Sequence, residues 1–126
     1  MTIIEVLFAI VILSGVLLAM SRFGQNFTRQ VRYAANLALA SDLAMARIDA
    51  IRGHGTYGTL VATYNGTVET SATATPPMTG SDGYTRTTRV VRTAHDTLDY
   101  VTVTVTITAL VLAKPVAKTA VIAAFP

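Results

Sequence analysis

The chain of 126 residues carries few side chains that could do chemistry, and the clearest group is His95 with Asp96 and Asp99. An imidazole and two carboxylates at this spacing could hold a metal ion or transfer a proton. In a predicted hairpin turn, however, such a group is more often a set of solvated polar residues. The only other histidine, His54, stands between two glycines at a predicted helix end.

The sequence contains no cysteine, which excludes thiolate nucleophiles, thiolate metal ligands and disulfides. It also shows no phosphate-binding loop, no paired metal-ligand motif and no recognisable pattern of a nucleophile with an oriented base. We therefore predict that the protein is not an enzyme, holds no metal ion and needs no cofactor.

Three arginines, Arg86, Arg89 and Arg92, lie at intervals of three in a threonine-rich segment that begins near Tyr84. A basic stripe on a strand could meet nucleic-acid phosphates. Side chains alternate across a strand, so residues 86 and 92 share one face and residue 89 takes the other. We expect a solvated edge, or pairing with Asp96, Asp99 or a neighbouring subunit, and nucleic acid stays a weak candidate partner.

Glu5 is the only ionisable side chain between Thr2 and Ser21, a stretch that is otherwise apolar or neutral. About twenty such residues on a helix span the roughly 30 Å hydrocarbon core of a bilayer. A carboxylate in such a span is costly and indicates a function. Its nearest partner would be an N-terminal ammonium, that of Met1 or that of a neighbouring chain.

The segment Thr2-Ile3-Ile4-Glu5-Val6-Leu7-Phe8-Ala9 resembles the mature N-terminus of type IV pilins and type II secretion pseudopilins. In that family a threonine, two aliphatic residues, a glutamate and a long apolar run follow the site that prepilin peptidase cuts. Phenylalanine is commoner than methionine in first place. The resemblance implies that a short basic leader preceded Met1, that Met1 is the processed and methylated residue, and that Glu5 and Met1 serve assembly. If Met1 is instead an initiator methionine, no leader was removed.

The resemblance implies a chain that waits in the inner membrane until the pilus assembly machinery adds it to a helical homopolymer outside the cell. A major pilin of this kind serves adhesion or twitching motility, and minor pilins and type II secretion pseudopilins share the same N-terminus. An ordinary single-pass membrane-anchored binding module explains the apolar span but not Glu5. A secretory signal peptide fits less well, because no basic residue precedes the apolar run.

Residues 1–53 predict one N-terminal helix, with the membrane anchor and filament core over 1–24 and a sheet-packing half over 25–53. Gly53-His54-Gly55 ends it. We predict partial helix melting in the filament from Ser14 and Gly15 to Gly24, because glycine weakens helices; alternatively, Gly15 allows close helix approach. Arg47 and the other charges are expected to fall largely off the packing stripe, whose residues recur at steps of three or four: Tyr33, Leu37, Ala40, Ala44, Ile48 and Ile51.

Residues 54–83 predict a connecting surface loop rich in glycine, proline, serine and threonine, with one short strand at residues 59–64. Asn65-Gly66-Thr67 matches the N-glycosylation acceptor pattern, a weak signal. Many pilins close a C-terminal loop with a disulfide, which this cysteine-free chain lacks.

Residues 84–126 predict an antiparallel β-sheet with strands at 84–93, 100–110 and 116–125 joined by short connections. In the middle strand threonines alternate with Val101, Val103, Val105 and Ile107. The valine face should cover the helix stripe, and the threonine face should meet water or a neighbouring subunit. The predicted fold is therefore α+β, the pilin fold, in which the sheet and residues 25–53 form one globular unit.

Overall fold

The computed structural model describes residues 2–124 and begins with one long helix. Helix α1 runs from Ile3 to Arg52, 50 residues, and passes through Gly15 and Gly24 without a break. The chain divides into two compact units, residues 1–35 and residues 36–126. The first unit contains the N-terminal part of helix α1, and each of its described residues, 2–35, is exposed.

Two hydroxyl side chains in the first unit bond back to the helix backbone. Ser14 Oγ donates to the Ile10 carbonyl at 2.7 Å, and Thr28 Oγ1 donates to the Gly24 carbonyl at 2.9 Å. Bonds of this kind compete with the backbone ladder and favour bending. The predicted melting of residues 14–24 concerns the assembled filament. The unbroken helix of the single chain does not test it, so it stays a prediction.

The second unit joins the end of α1 to a four-stranded antiparallel sheet in the order β1–β2–β3–β4. The strands are β1 (Thr67–Thr70), β2 (Tyr84–His95), β3 (Leu98–Ala109) and β4 (Val116–Ala123). The β2–β3 hairpin turns through residues 96 and 97, where Asp96 adopts the left-handed conformation (φ 50°) that aspartate tolerates. The predicted α+β class is confirmed. Phe125, predicted to end the last strand, lies outside the described residues.

The core of the second unit lies between the helix and one side of the sheet. Leu37 packs against it while partly exposed, whereas Tyr33 is 41% exposed and does not belong to it. The packing stripe therefore begins at Leu37, about one turn later than predicted. Its buried centre, where no side chain is more than 1% exposed, contains Ala40, Ala44, Ile48 and Ile51 from α1 and Val101, Val103, Val105 and Ile107 from β3.

Two predictions for residues 54–83 are wrong. The segment predicted as a strand forms the end of a 3₁₀ turn (Tyr57–Thr59) and helix α2 (Leu60–Tyr64). Leu60, Val61 and Tyr64 fall on one helical face and pack against the core, and this packing outweighs the strand preference of the segment. Thr67–Thr70, predicted as loop, pairs with β2 as strand β1.

The opposite side of the sheet is the threonine face. We use this name for the odd positions 85–93 of β2 and the even positions 100–108 of β3, with residues 68 and 70 of β1 and residues 119 and 121 of β4. The burial of β3 alternates as predicted, because its valines are buried and the threonines between them are wholly or partly exposed. Val121 on the threonine face is 59% exposed, while Val103 in the core is 0% exposed.

The two faces predict different costs for the same truncation. Val103→Ala should destabilise the second unit by about 2–3 kcal/mol, because it removes buried methyl groups and leaves a cavity. Val121→Ala, the matched control, should stay within about 0.5 kcal/mol of the wild type. Urea unfolding of the full chain in a non-ionic detergent measures both values, and equal costs would contradict the assignment of the two faces.

Candidate functional site

Glu5 lies in the first turn of α1, in the exposed first unit. The Thr2 amide donates to Glu5 Oε2 at 3.4 Å, a long bond, and the Glu5 amide donates to the Thr2 carbonyl at 3.1 Å. Met1, the predicted partner and processing residue, lies outside the described residues. The carboxylate is thus in the chain's N-terminal turn, next to the backbone amides that begin the helix.

The apolar surface around Glu5 is long and uncovered. Ile3 is 83% exposed, Phe8 66% and Leu18 66%, and no residue in 2–35 is buried. By length and composition α1 is able to cross a membrane, and it is the one such helix within residues 2–124. A signal sequence near an N-terminus has the same property, so this feature alone shows a helix suited to an apolar environment.

A second polar arrangement, which we call the ionic cluster, consists of Arg47, Glu69 and Arg86 inside the second unit. Arg86 Nε donates to Glu69 Oε2 at 2.9 Å, and Arg47 Nη2 lies 3.3 Å from the same oxygen. The three side chains are 0%, 6% and 11% exposed for Arg86, Arg47 and Glu69. Two guanidiniums from α1 and β2 therefore share one carboxylate from β1, in an environment that water hardly reaches.

The ionic cluster also holds the segment between β1 and β2. Arg47 Nη1 donates to the Thr75 carbonyl, Arg86 Nη2 donates to the Pro76 carbonyl at 3.2 Å, and the Thr75 amide donates to Glu69 Oε1 at 3.1 Å. These bonds fix the backbone of a segment with little regular structure of its own. They make the cluster a structural anchor for residues 71–83.

Charge in the ionic cluster is unbalanced, since two cations meet one anion. Burial lowers the pKa of the Arg47 guanidinium from its ordinary value, and the attraction of Glu69 partly offsets that effect. Arg47 also lies over the Tyr64 ring, with its guanidinium carbon 4.9 Å from the ring centre. Arg86 Nη1 and the Tyr84 hydroxyl are buried without a hydrogen-bond partner in the described part of the chain.

The sequence analysis missed this cluster, and the prediction that Arg47 falls off the packing stripe is wrong. Arg47 is three residues after Ala44 and four before Ile51, which is the spacing of the buried face. Arg86 was predicted to lie at a solvated edge or to pair with Asp96, Asp99 or a neighbouring subunit, but it is wholly buried and pairs with Glu69. The signal available in the sequence was an arginine inside the apolar stripe together with an isolated glutamate in a threonine-rich stretch.

The two histidines lie in separate places, each with its own contacts. His95 Nδ1 lies 3.0 Å from Asp96 Oδ2 in the hairpin turn, with both side chains more than 80% exposed. His54 contacts the Tyr64 hydroxyl at 3.1 Å and Thr59 Oγ1 at 3.0 Å, and thereby ties the end of α1 to α2. Across residues 2–124, no three histidine or acidic side chains group as a metal ion would require.

Asp99, the third member of the predicted His95 group, instead pairs with Arg92. Arg92 Nε donates to Asp99 Oδ1 at 2.8 Å, and the Tyr57 hydroxyl donates to the same oxygen at 3.0 Å. The hydrogen bond from Arg92 holds the pKa of the Asp99 carboxyl below its usual range. Desolvation, together with the bond to Asp99, raises the pKa of the Tyr57 hydroxyl. The trio joins the 3₁₀ turn to the β2–β3 hairpin.

Asn65, the weak glycosylation candidate, has a structural contact. Its side-chain oxygen accepts a hydrogen bond from the Val90 amide at 3.0 Å, and the Gly66 amide donates to the Thr88 carbonyl at 2.9 Å. These two hydrogen bonds extend the contact between β1 and β2 into the connection that leads back to α2. Asn65 itself is exposed, and its modification stays a prediction.

The ionic cluster predicts a large cost for a small chemical change. Glu69→Gln keeps the shape but removes the charge, leaving two buried guanidiniums to repel each other, so we expect a loss of about 3–5 kcal/mol. Asp49→Asn, the matched control, breaks an exposed pair with Arg52 and should cost less than about 1 kcal/mol. Urea unfolding tests both; a cost below that of the control would refute the anchoring role.

The Arg92–Asp99 pair predicts a pH-dependent contribution to stability. The folded chain holds the Asp99 pKa below the unfolded value of about 4, so the contribution is present above about pH 4 and is lost as pH falls through the folded pKa. Asp99→Asn should therefore lower the urea midpoint at about pH 7, and its difference from the wild type should shrink steadily as pH falls below about 4. Asp82→Asn, at an exposed site, is the control. A difference in urea midpoint between Asp99→Asn and the wild type that is the same at every pH would contradict the predicted pH dependence.

No protein-family model, no curated protein and no solved structure matches this chain. Its function must therefore be argued from its own features: an uncovered apolar helix with one carboxylate near its start, and a small cross-braced sheet unit.

Proposed function

We propose that this protein is a structural subunit of a type IV pilus-like extracellular filament and polymerises through its apolar N-terminal helix. The observation that carries the proposal is the first unit itself, in which residues 3–35 are helical and exposed and Glu5 is the only charged side chain before Arg22. Exposed apolar surface of this extent is unfavourable in water, so lipid or other copies of the same helix must cover it. The helix of a filament subunit is surrounded first by lipid and then, after assembly, by the helices of other subunits.

The proposed sequence of events begins in the inner membrane, after prepilin peptidase has cut the leader and left Met1 as the N-terminus. The pilus assembly machinery then moves the helix from lipid into a bundle of identical helices. Both environments are apolar, so the transfer exchanges one covering for another at little hydrophobic cost. The second unit remains outside the bundle, since its core is complete without a partner.

Glu5 supplies the selectivity that an apolar bundle lacks. Van der Waals packing among aliphatic side chains tolerates many positions along the helix axis, whereas a carboxylate in a medium of low polarity requires an opposite charge. The N-terminal ammonium of a neighbouring subunit is the proposed partner. This pairing fixes how far each new subunit moves along the bundle, and it gives Glu5 a role that a plain anchor does not need.

This proposal assigns the protein assembly rather than catalysis. Two groups of polar side chains in the second unit, the ionic cluster and the Tyr57–Asp99–Arg92 trio, hold its elements together. Minor pilins and type II secretion pseudopilins share the proposed mechanism and differ in abundance and filament. A single-pass binding module would keep the helix in lipid permanently.

Glu5→Gln tests the proposed pairing, because it keeps the size of the side chain and removes its charge. An ammonium left unpaired in the bundle costs about 3–5 kcal/mol, so the variant should stay in the membrane and be lost from filaments. Asp42→Asn, an exposed residue farther along the same helix, is the control and should assemble normally. Filaments are sheared from cells, and mass spectrometry quantifies the chain in filament and membrane fractions.

The wild-type fractions decide the proposal as a whole. Abundant chain in sheared filaments, beginning at a methylated Met1, supports a major subunit. Wild-type chain confined to membranes refutes it and favours the anchored module, and trace amounts in filaments favour a minor pilin or pseudopilin. Normal filaments from Glu5→Gln would refute the pairing while leaving the filament itself in place.

A further inference from the structure

The threonine face differs from an ordinary water-facing sheet surface in its charge. Sheet faces in contact with water usually mix acidic and basic residues. Across the outward positions of β2, β3 and β4 defined above, Arg89 is the single charged side chain. Asp99 and Glu69 belong to the inner side, where they contact Arg92 and the ionic cluster.

Arg89 is also the β2 arginine whose charge is available to a ligand. Arg86 is buried against Glu69, and Arg92 pairs with Asp99. Arg89 is exposed and forms no ion pair within residues 2–124. A guanidinium in that state can receive a carboxylate through two parallel hydrogen bonds.

The strand register places two hydroxyls in line with Arg89. Arg89 of β2 is opposite Thr104 of β3, and Thr104 is opposite Thr119 of β4. Neighbouring strands lie about 4.8 Å apart, so the row extends about 10 Å across the sheet. The Thr104 and Thr119 hydroxyl oxygens are 3.3 Å apart, which shows that the two side chains point the same way.

We propose that the threonine face binds an acidic polysaccharide along the row Arg89–Thr104–Thr119. The sugar carboxylate lies on the Arg89 guanidinium, and ring hydroxyls exchange hydrogen bonds with Thr104 and Thr119. Thr87, which is partly exposed, and Val91, which is exposed, are the neighbours of Arg89 on the same strand face, and their methyl groups pack against the apolar C–H groups of the sugar ring. The proposal concerns the second unit and holds whether or not the chain forms filaments.

Two other occupants fit this face less well. Nucleic acid gains its affinity from several phosphate contacts at once, and the threonine face offers one cation. A second copy of the same face would bury Arg89 without bringing a carboxylate to it, which is costly. A polymer with widely spaced carboxylates and many hydroxyls matches both the single charge and the hydroxyl row.

The test uses the full chain in nanodiscs of zwitterionic lipid, without divalent cations, and as the probe an oligomer of hyaluronan, which carries a carboxylate on every second sugar. Isothermal titration should show binding of the oligomer and at least tenfold weaker binding of its methyl ester, which lacks the charge. Arg89→Gln should weaken binding of the acid about tenfold, the loss expected for one charge-assisted contact. Thr104→Val, which keeps the side-chain shape, should weaken it about threefold.

Lys114→Gln removes one positive charge from the β3–β4 connection, which is not part of the threonine face, and should leave affinity unchanged. Circular dichroism of each variant establishes that the fold is intact. Equal affinity for the acid and its methyl ester overturns the proposal, as do equal effects of Arg89→Gln and Lys114→Gln. Failure of the acid to bind leaves the face as a solvated surface and overturns it too. Tighter binding of duplex DNA with the same dependence on Arg89 would replace it with a nucleic-acid surface.

Discussion

The carboxylate of Glu69 neutralises guanidiniums that reach it from two distant parts of the chain, Arg47 on α1 and Arg86 on β2. Charges so well buried are tolerated only when they are paired and hydrogen-bonded. Strand β1, which carries Glu69, must therefore lie beside β2, and the end of α1 must present Arg47 to both. The same bonds fix the backbone at residues 75 and 76. In a chain without cysteine, one shared carboxylate thus links helix, sheet edge and loop.

The two units meet opposite physical requirements. The second unit buries its valines and its polar cluster by itself, so its stability comes from internal contacts. The first unit buries nothing, and its stability as a helix in an apolar environment comes from satisfying its own backbone hydrogen bonds. This separation allows the environment of residues 2–35 to change completely while the contacts inside the second unit remain the same.

The regular parts of the fold were predictable because local pattern and tertiary packing agree there. The alternation of Val101 to Ile107 with threonine indicates a strand, and its burial follows that pattern. At residues 60–64 the local sequence favours a strand, but packing of Leu60 against the core stabilises a helix instead. The ionic cluster was not predictable from spacing alone, because Arg47 and Glu69 are 22 positions apart and only the folded chain brings them together. An arginine at the spacing of a buried stripe, as Arg47 is, indicates that a carboxylate from elsewhere in the chain must pair with it.

Each strand pairs with the strand next to it in sequence, and this order has a kinetic consequence. The β2–β3 and β3–β4 hairpins close short loops, so the chain entropy lost before contacts form is small. The meander is thus able to find its register early and from local information. Docking of α1 closes a longer loop, so we expect it to follow the hairpins, with the pairing of Arg47 and Glu69 among the last contacts to form. We therefore expect the strand register to be set before α1 covers the valines, and helix docking to complete the core of a sheet that is already paired.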